Sequence, residues 1–231
     1  MINIKGKLIV FEGLDGAGKS TQVILLKKFL ESKRVKIFLS QWNSSPLVKS
    51  GTKRGKKQKI FTPTTFSLIH CTDFSNRYER EILPLLKAGF IVLCDRYIYT
   101  AFARDAVRGC NKQWVKNLYS FAIEPDISLF FHISQEVAIS RVLEGRTKIK
   151  YFEAGMDMGF SQDTNESFRI FQSKIFNEYE NIIKEYNFDV IDASLSIKEQ
   201  QEKVRSIVTK NIDISYFKWK ARYETKTINF I

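Results

Sequence analysis

A phosphate-binding loop near the start of the chain constrains its fold more than any other feature. Residues 11–21 have the sequence FEGLDGAGKST, in which Gly13, Gly18, Lys19 and Ser20 meet the pattern G-x-x-x-x-G-K-[ST]. An apolar run precedes the loop at residues 8–10 and another follows it at residues 23–26. This is the strand-loop-helix context that the motif requires. The loop therefore predicts a binding site for a nucleoside triphosphate.

Each residue type in the loop has a physical reason to be there. Glycines let backbone N–H groups close around phosphate oxygens at the positive end of the following helix. Lys19 can reach the β- and γ-phosphates, and the hydroxyl of Ser20 lies where Mg²⁺ would bind. We expect ATP to be bound by the loop residues Gly13, Asp15, Gly16, Ala17, Gly18, Lys19, Ser20 and Thr21.

The rest of the chain predicts an α/β fold. Short apolar runs alternate with longer amphipathic ones, as in a mostly parallel sheet with helices on both faces. Strands are predicted at residues 8–11, 35–39, 90–94, 127–132 and 188–192. A helix that starts at Thr62 and Pro63 should be kinked or shortened by Pro84, since proline removes a helix hydrogen bond. With 231 residues, 44% of them hydrophobic, we expect one domain over residues 1–211 and an extension over 212–231.

The composition indicates that the protein binds acidic ligands but does not identify which ones. The formal net charge of +12 favours acidic ligands, but nucleotides, nucleic acids and membrane surfaces are all acidic. Part of the charge lies in the basic run 53–59, KRGKKQK, which lacks apolar periodicity and predicts a solvated loop. The alternative is a basic rim for a phosphorylated substrate or a polyanion. No stretch has the pattern of a signal peptide or a membrane span, so we expect a cytoplasmic protein without membrane contact.

A second group of polar residues follows the strand predicted at 90–94. Asp95 and Arg96 come directly after it, and ligands bind at the carboxyl ends of parallel strands. Asp95 should therefore lie near Lys19 and Ser20, where it could hold Mg²⁺ or a water bound to the metal. Arg96 offers a planar fork suited to a second phosphate. The alternative is a surface ion pair at a helix start.

The two motifs together resemble those of thymidylate kinases. The likeness rests on FEGLDGAGKSTQ at 11–22 and CDRY at 94–97, and on LPLLKAG at 83–89, EPD at 124–126 and VIDA at 190–193. It extends over roughly residues 5–210 and implies a three-layer P-loop kinase fold with a five-stranded sheet. It also implies transfer of a phosphoryl group from ATP, with Mg²⁺, to a nucleoside monophosphate, with dTMP the first candidate. By resemblance, Lys19 and Arg96 handle the donor and acceptor phosphates, Asp15 contacts the acceptor's sugar, and the protein is a homodimer.

The resemblance also places a cationic lid at about residues 145–163. Family members that lack an arginine in the phosphate-binding loop use one in the lid, and Gly16 and Ala17 place this chain among them. Arg146 is the first candidate and Arg141 the second, so the catalytic set becomes Lys19, Asp95, Arg96 and Arg146. The alternative is a solvated surface loop without a role in catalysis.

The acceptor pocket departs from the family pattern. Where thymidylate kinases carry a phenylalanine that stacks on thymine and an arginine that bonds it, this chain has His70 and Phe74. Phe74 with Arg77 one turn later could still stack and bond a pyrimidine, or the pocket could suit another acceptor. Trp42 and His70 could equally belong to the core. The predicted acceptor residues are Asp15, Trp42, His70, Phe74, Arg77, Arg96 and Arg104.

Residues 212–231 extend beyond the part of the chain that resembles the family. Aromatic and basic residues alternate there, a combination that can bind single-stranded nucleic acid. The alternation in 225–231 favours a half-buried strand, so we expect this extension to pack on the domain or on a partner subunit and not to bind nucleic acid. The remaining alternative function is a P-loop ATP-binding switch that contacts nucleic acid or another protein through the basic run and the aromatic tail. A switch, however, has no evident need for Arg96 or for a cationic lid.

Overall fold

The core of the molecule is a parallel β-sheet, seen in a computed structural model that describes residues 4–219. Its five strands in this part of the chain are β1 (Lys7–Gly13), β2 (Ile37–Gln41), β3 (Ile91–Asp95), β4 (Ile127–His132) and β5 (Asp189–Asp192). They lie in the order β2-β3-β1-β4-β5, and every pair of neighbours is parallel. The predicted α/β fold is confirmed.

The central strand β1 is covered on both faces. Its residues from Leu8 to Phe11 are completely buried, as is most of β3. Burial on both faces explains why these strands are continuous apolar runs without alternation. The predicted strand positions agree with the observed ones to within about two residues, the usual uncertainty of an element's end.

Helices occupy the intervals between the strands. They are α1 (Lys19–Ser32), α2 (Pro46–Gln58), α3 (Pro63–Arg77), α4 (Leu83–Lys87), α5 (Ile98–Val107), α6 (Lys112–Leu118), α7 (Gln135–Gly145), α8 (Thr164–Glu185) and α9 (Ile197–Asn211). None of the helices within residues 4–219 combines the length and apolar character needed to cross a bilayer.

The basic run 53–59 is not the loop that its composition predicted. Most of it forms the C-terminal half of α2. Ser45 caps this helix by accepting a hydrogen bond from the N–H of Leu47, and Pro46 occupies the first helical position, which suits proline. The apolar periodicity is weak because much of α2 faces solvent or, as described below, a polar cavity.

Pro84 interrupts its helix as expected, by way of a π-helical segment. Helix α3 ends at Arg77, the π-helix covers Tyr78–Ile82, and α4 begins at Leu83. Proline cannot donate a helix hydrogen bond and its ring crowds the preceding turn, and the wider π-turn just before it relieves that crowding.

The described part of the C-terminal extension packs against the edge of the domain. A short 3₁₀-helix covers Ile214–Phe217, and Phe217 is buried. The N–H of Lys36 donates to the carbonyl of Phe217, and that of Trp219 donates to the carbonyl of Arg34. The strand predicted at 225–231 lies outside the described residues, and the division of the chain at residue 211 stays a prediction.

Candidate active site

The phosphate-binding loop joins β1 to α1 with a conformation that depends on glycine. Gly18 precedes α1 with a φ of 80° and has no side chain to cap the helix, so the first N–H groups of α1 remain available to an anion. Gly16 has a φ of 87°, and a Cβ there would lie 2.2 Å from the carbonyl oxygen of Ala138. The loop thus passes α7 at a distance that only glycine allows.

Lys19 is folded back into this loop. Its side chain is only 5% exposed, and Nζ donates to the carbonyl of Leu14 at 2.5 Å. Burial lowers the pKa of Lys19 to about 7, and the neighbouring positive charge of Arg96 adds to the effect. The residue is therefore a desolvated cation that an incoming phosphate would stabilise.

Ser20 and Asp95 meet at the carboxyl edge of the sheet. Phe11 of β1 pairs with Asp95 of β3, which brings the ends of the two strands side by side. Ser20 Oγ donates a hydrogen bond to Asp95 Oδ2 at 2.7 Å. A hydroxyl and a carboxylate at this spacing are oxygen donors of the kind that Mg²⁺ takes together with phosphate oxygens and water. The pair therefore fits the expected metal.

Arg96 lies beside the loop with a strained backbone. Its φ of 74° is unusual for a residue other than glycine, and such strain collects at functional sites. The guanidinium forms an ion pair with Asp15 Oδ1 and approaches the carbonyl of Gly13 at 3.4 Å.

Arg104 engages the same carboxylate from α5. Its Nη2 lies 2.7 Å from Asp15 Oδ2. Although burial raises the pKa of Asp15, the charges of Arg104 and Arg96 outweigh that effect and hold this pKa far below its ordinary value. Asp15 is thus a permanently ionised group that orients two guanidinium groups.

Glu12 holds the start of α5, next to Arg96, and was missed by the sequence reasoning. Its carboxylate is fully buried and accepts hydrogen bonds from the N–H of Tyr97 at 2.7 Å, from Thr100 Oγ1 at 2.7 Å and from the hydroxyl of Tyr179 at 2.8 Å. Burial raises its pKa, and the charge of Arg96 and these bonds oppose the rise. A glutamate inside an apolar strand was the available signal, since such a group must be paired.

Two cavities open beside these residues. The smaller, of about 450 Å³, is lined by the phosphate-binding loop together with Asp95, Arg96 and Arg146. The larger, of about 760 Å³, lies under α2 and α3 and reaches the segment around Phe152. Asp15, Trp42 and Arg96 line both, so Arg96 lies where the two cavities meet.

Arg146 reaches the smaller cavity from the segment predicted to be a lid. This side chain is about half exposed and forms an ion pair with Glu153. The segment is anchored, since Ile149, Phe152 and Ala154 are buried. Arg141, the second candidate, is exposed on α7 and lines neither of the two cavities.

Several predicted acceptor residues line the larger cavity and two do not. The residues found there are Asp15, Trp42, His70, Arg96 and Arg104. Phe74 is fully buried and packs on the rings of Tyr78, Tyr97, Tyr119 and Phe121. Its burial contradicts the prediction that it stacks on a base.

Arg77 is also buried, and it forms hydrogen bonds to other residues of the protein. Its Nε donates to Asp73 Oδ2 at 2.8 Å and its Nη1 donates to Ser40 Oγ at 2.9 Å, and only 2% of the side chain is exposed. Its Nη2 is also buried, with no hydrogen-bond partner in the described chain, and Arg77 lines neither cavity. The prediction that Arg77 bonds the base is therefore contradicted as well.

The aromatic wall of the larger cavity includes Phe66 and Phe152, which the sequence reasoning did not select, beside Trp42 and His70, which it did. Phe66 lies one turn before His70 on α3, with the two ring centroids 4.3 Å apart. Phe152 stacks on Phe66 at 4.9 Å, and the guanidinium of Arg108 lies 4.7 Å from the Phe66 ring. The i, i+4 spacing from His70 was the signal for Phe66, whereas nothing local marked Phe152 or Arg108.

His70 is neutral in this wall. It is 7% exposed, and within the described chain its Nε2 has no hydrogen-bond partner. Burial holds its pKa well below the ordinary value, and the positive charges of Lys56 and Arg108 lower it further. An unpaired imidazole nitrogen can donate or accept, depending on its tautomer.

Comparison with known proteins is consistent with this geometry. The thymidylate kinase family model matches residues 11–204. Probable thymidylate kinase 2 of Saccharolobus solfataricus is 47% identical over 213 residues, covering 92% of this chain and all of the relative. Probable thymidylate kinase 1 of the same organism is 29% identical over 89% of this chain and 98% of its own length. Thymidylate kinase of Brachyspira hyodysenteriae is 29% identical over 65% of this chain and 74% of its own length.

Proposed function

The chain belongs to the thymidylate kinase family, and from that premise we propose that the site described above transfers the γ-phosphoryl group of ATP to dTMP, giving dTDP and ADP. One observation carries the assignment of the two cavities: Arg96 stands where a cavity built on the phosphate-binding loop meets a second, larger one. A kinase needs its two substrates to meet at such a point, whereas an ATP-binding switch does not.

The smaller cavity suits the donor. The N–H groups at the start of α1 and the ammonium of Lys19 would hold the β- and γ-phosphates. Ser20 and Asp95 would hold Mg²⁺, which supplies charge neutralisation on the phosphates when bound. Arg146 lines the same cavity, where its charge would stabilise the group in transfer.

The larger cavity suits the acceptor. Arg96 would hold the phosphate of dTMP so that one of its oxygens attacks the γ-phosphorus in line, while the bond from that phosphorus to the bridging oxygen of ADP breaks. Asp15 keeps Arg96 and Arg104 in place. Phe66 and Trp42 offer aromatic faces to the base, and His70 offers a polar atom to its edge.

A variant of Arg96 tests this assignment. We expect Arg96→Ala to lower dTMP-dependent ADP release by about 10²- to 10³-fold, the usual effect of removing one donor that stabilises transferring charge. ATP with Mg²⁺ should still bind, because Lys19, Ser20 and Asp95 are retained in the smaller cavity. Arg169→Ala removes an exposed arginine of α8 and is the matched control.

The assay measures ADP release with ATP and Mg²⁺ against dTMP, dUMP, UMP, dCMP, CMP, dGMP, GMP and AMP. Strong stimulation by dTMP alone supports the proposal. The proposal would be refuted if no monophosphate raised ADP release above the rate with ATP alone. It would also be refuted if Arg96→Ala were as active as Arg169→Ala. The homodimer and the cytoplasmic location remain predictions.

A further inference from the structure

The larger cavity carries more positive charge than a nucleoside monophosphate can neutralise. Eight of its lining side chains are lysine or arginine and three are aspartate or glutamate. Four of the lysines belong to α2 and one to the segment after α7: Lys49, Lys53, Lys56, Lys57 and Lys150. Positions 49, 53, 56 and 57 follow the spacing of one helix face, so α2 turns a lysine stripe towards the cavity.

The three acidic side chains of this cavity already have cationic partners. Asp15 pairs with Arg96 and Arg104. Asp73 pairs with Arg77, and Glu153 pairs with Arg146. Among residues 4–219, none of the five lysines has a carboxylate within ion-pair distance. The lysine stripe and Lys150 therefore have no carboxylate partner in the described protein. Lys56 is partly buried, and the other four lysines are exposed to solvent.

Lys56 is the one of these five lysines that is partly buried. Its ammonium lies 5.1 Å from the centroid of the Phe66 ring and is largely withdrawn from water. Burial lowers its pKa to about 8, and the charges of Arg108, Arg104 and Lys150 lower it further. An anion bound beside Lys56 would stabilise its charged form and offset the repulsion from the neighbouring cations.

The phosphate of dTMP would lie too far from these lysines to neutralise them, because it would bind at the opposite end of the cavity. If Arg96 holds the reacting phosphate at the junction of the two cavities, the nucleoside must extend away from it, under α2. Deoxyribose and thymine are uncharged, so they leave the lysines without a counter-charge. Further phosphates on the 5′ side, as in dTDP, would extend towards Lys19 and not towards α2.

We propose that the larger cavity contains a second anion subsite, formed by Lys49, Lys53, Lys56, Lys57 and Lys150, which takes a phosphate group at the nucleoside end of the acceptor. The phosphate belongs either to the acceptor itself, as in a nucleoside bisphosphate, or to a free phosphate ion bound beside dTMP. This inference rests on the proposed function only in placing the reacting phosphate at Arg96.

Titration calorimetry at constant ionic strength tests the subsite. The probes are dTMP, thymidine 3′,5′-bisphosphate, and dTMP in the presence of inorganic phosphate. We expect either the bisphosphate to bind at least about tenfold more tightly than dTMP, or inorganic phosphate to tighten dTMP binding by a similar factor. The first result assigns the phosphate to the acceptor, and the second assigns it to a free ion.

Two variants locate the effect. In the double variant Lys53→Gln/Lys56→Gln the second phosphate should no longer tighten binding, because two positive charges of the subsite are removed. Arg54→Gln removes one charge from the same helix at an exposed position outside the cavity, so the gain should persist. ATP binding to each variant checks that the fold is intact.

Three results would overturn the inference. In the first, the bisphosphate binds no more tightly than dTMP and inorganic phosphate does not change dTMP binding. In the second, the increase in affinity persists in the double variant. In the third, Arg54→Gln loses the increase in affinity to the same extent as the double variant. ADP release with dTMP, measured on the same preparations, keeps the proposals apart. Turnover of dTMP without a second-anion effect refutes only the subsite, and an anion effect without dTMP turnover refutes only the proposed function.

Discussion

Binding of ATP should be coupled to protonation of Lys19. Its pKa of about 7 in the free protein results mainly from burial, with a contribution from Arg96. A phosphate beside Nζ supplies the negative charge that the buried ammonium lacks, so the bound state should hold the proton throughout the neutral range. Free protein above pH 7 must therefore take up a proton when the nucleotide binds.

The size of this effect follows from the pKa. About 90% of Lys19 is protonated at pH 6 and about 10% at pH 8. If only the protonated form binds the phosphates, the affinity should fall about tenfold between pH 6 and pH 8, or by about 1.4 kcal/mol. The sign follows from the lowered pKa, since the favourable form is present below pH 7 and lost as the pH rises. Ionisation of the ATP phosphates should strengthen binding as the pH rises, so it cannot account for a fall in affinity.

Calorimetric titration with ATP and Mg²⁺, repeated in buffers of different ionisation enthalpy, measures both quantities. We expect uptake of about 0.9 proton at pH 8. Lys19→Arg is the control, because a guanidinium stays protonated throughout this range and should bind with neither proton uptake nor the affinity trend. An affinity of the wild-type protein that is flat from pH 6 to 8, or the same slope in Lys19→Arg, would refute the reasoning.

Two further predictions concern the folded state. Phe74→Ala should lower the free energy of unfolding in urea by about 3–5 kcal/mol, because the ring is fully buried among aromatic side chains, and a loss below about 1 kcal/mol would contradict its place in the core. Burial raises the pKa of Asp105 to about 6, although Ser67 donates to it, so its contribution to stability is present below about pH 4 and is lost as the pH rises through about 6. Asp105→Asn should therefore be the more stable protein at pH 8, by up to about 3 kcal/mol, and equal urea midpoints at that pH would contradict this.

Much of the donor side could be predicted from the sequence because its residues are close together along the chain. The phosphate-binding loop is a local motif with its own strand and helix. Asp95 is the last residue of β3, the neighbour of β1 in the sheet, and Arg96 follows it. Parallel pairing of β1 and β3 then brings the two segments together. The hydrogen bond between Ser20 and Asp95 is the direct result.

The acceptor side could be predicted only in part. His70 and Phe74 lie one turn apart on α3, and spacing alone cannot tell which of them faces a cavity. Tyr97, just before α5, and two aromatic residues after α6 cover Phe74, while His70 remains at the wall of the larger cavity. The ion pair of Arg77 with Asp73 is local to α3, but its hydrogen bond to Ser40 depends on β2, which lies elsewhere along the chain.

The sequence by itself determined the fold class, the nucleotide-binding loop and the family of this protein, because each depends on short patterns whose conformation is local. Tertiary structure alone decided which face of each helix meets the cavity. It withdrew Phe74 and Arg77 into the core and brought Phe66, Phe152 and Arg108 together from distant segments. It also turned three lysines of the basic run, Lys53, Lys56 and Lys57, towards the larger cavity. The physical reason is that burial and charge at a site depend on what packs beside it, and those neighbours come from elsewhere in the chain.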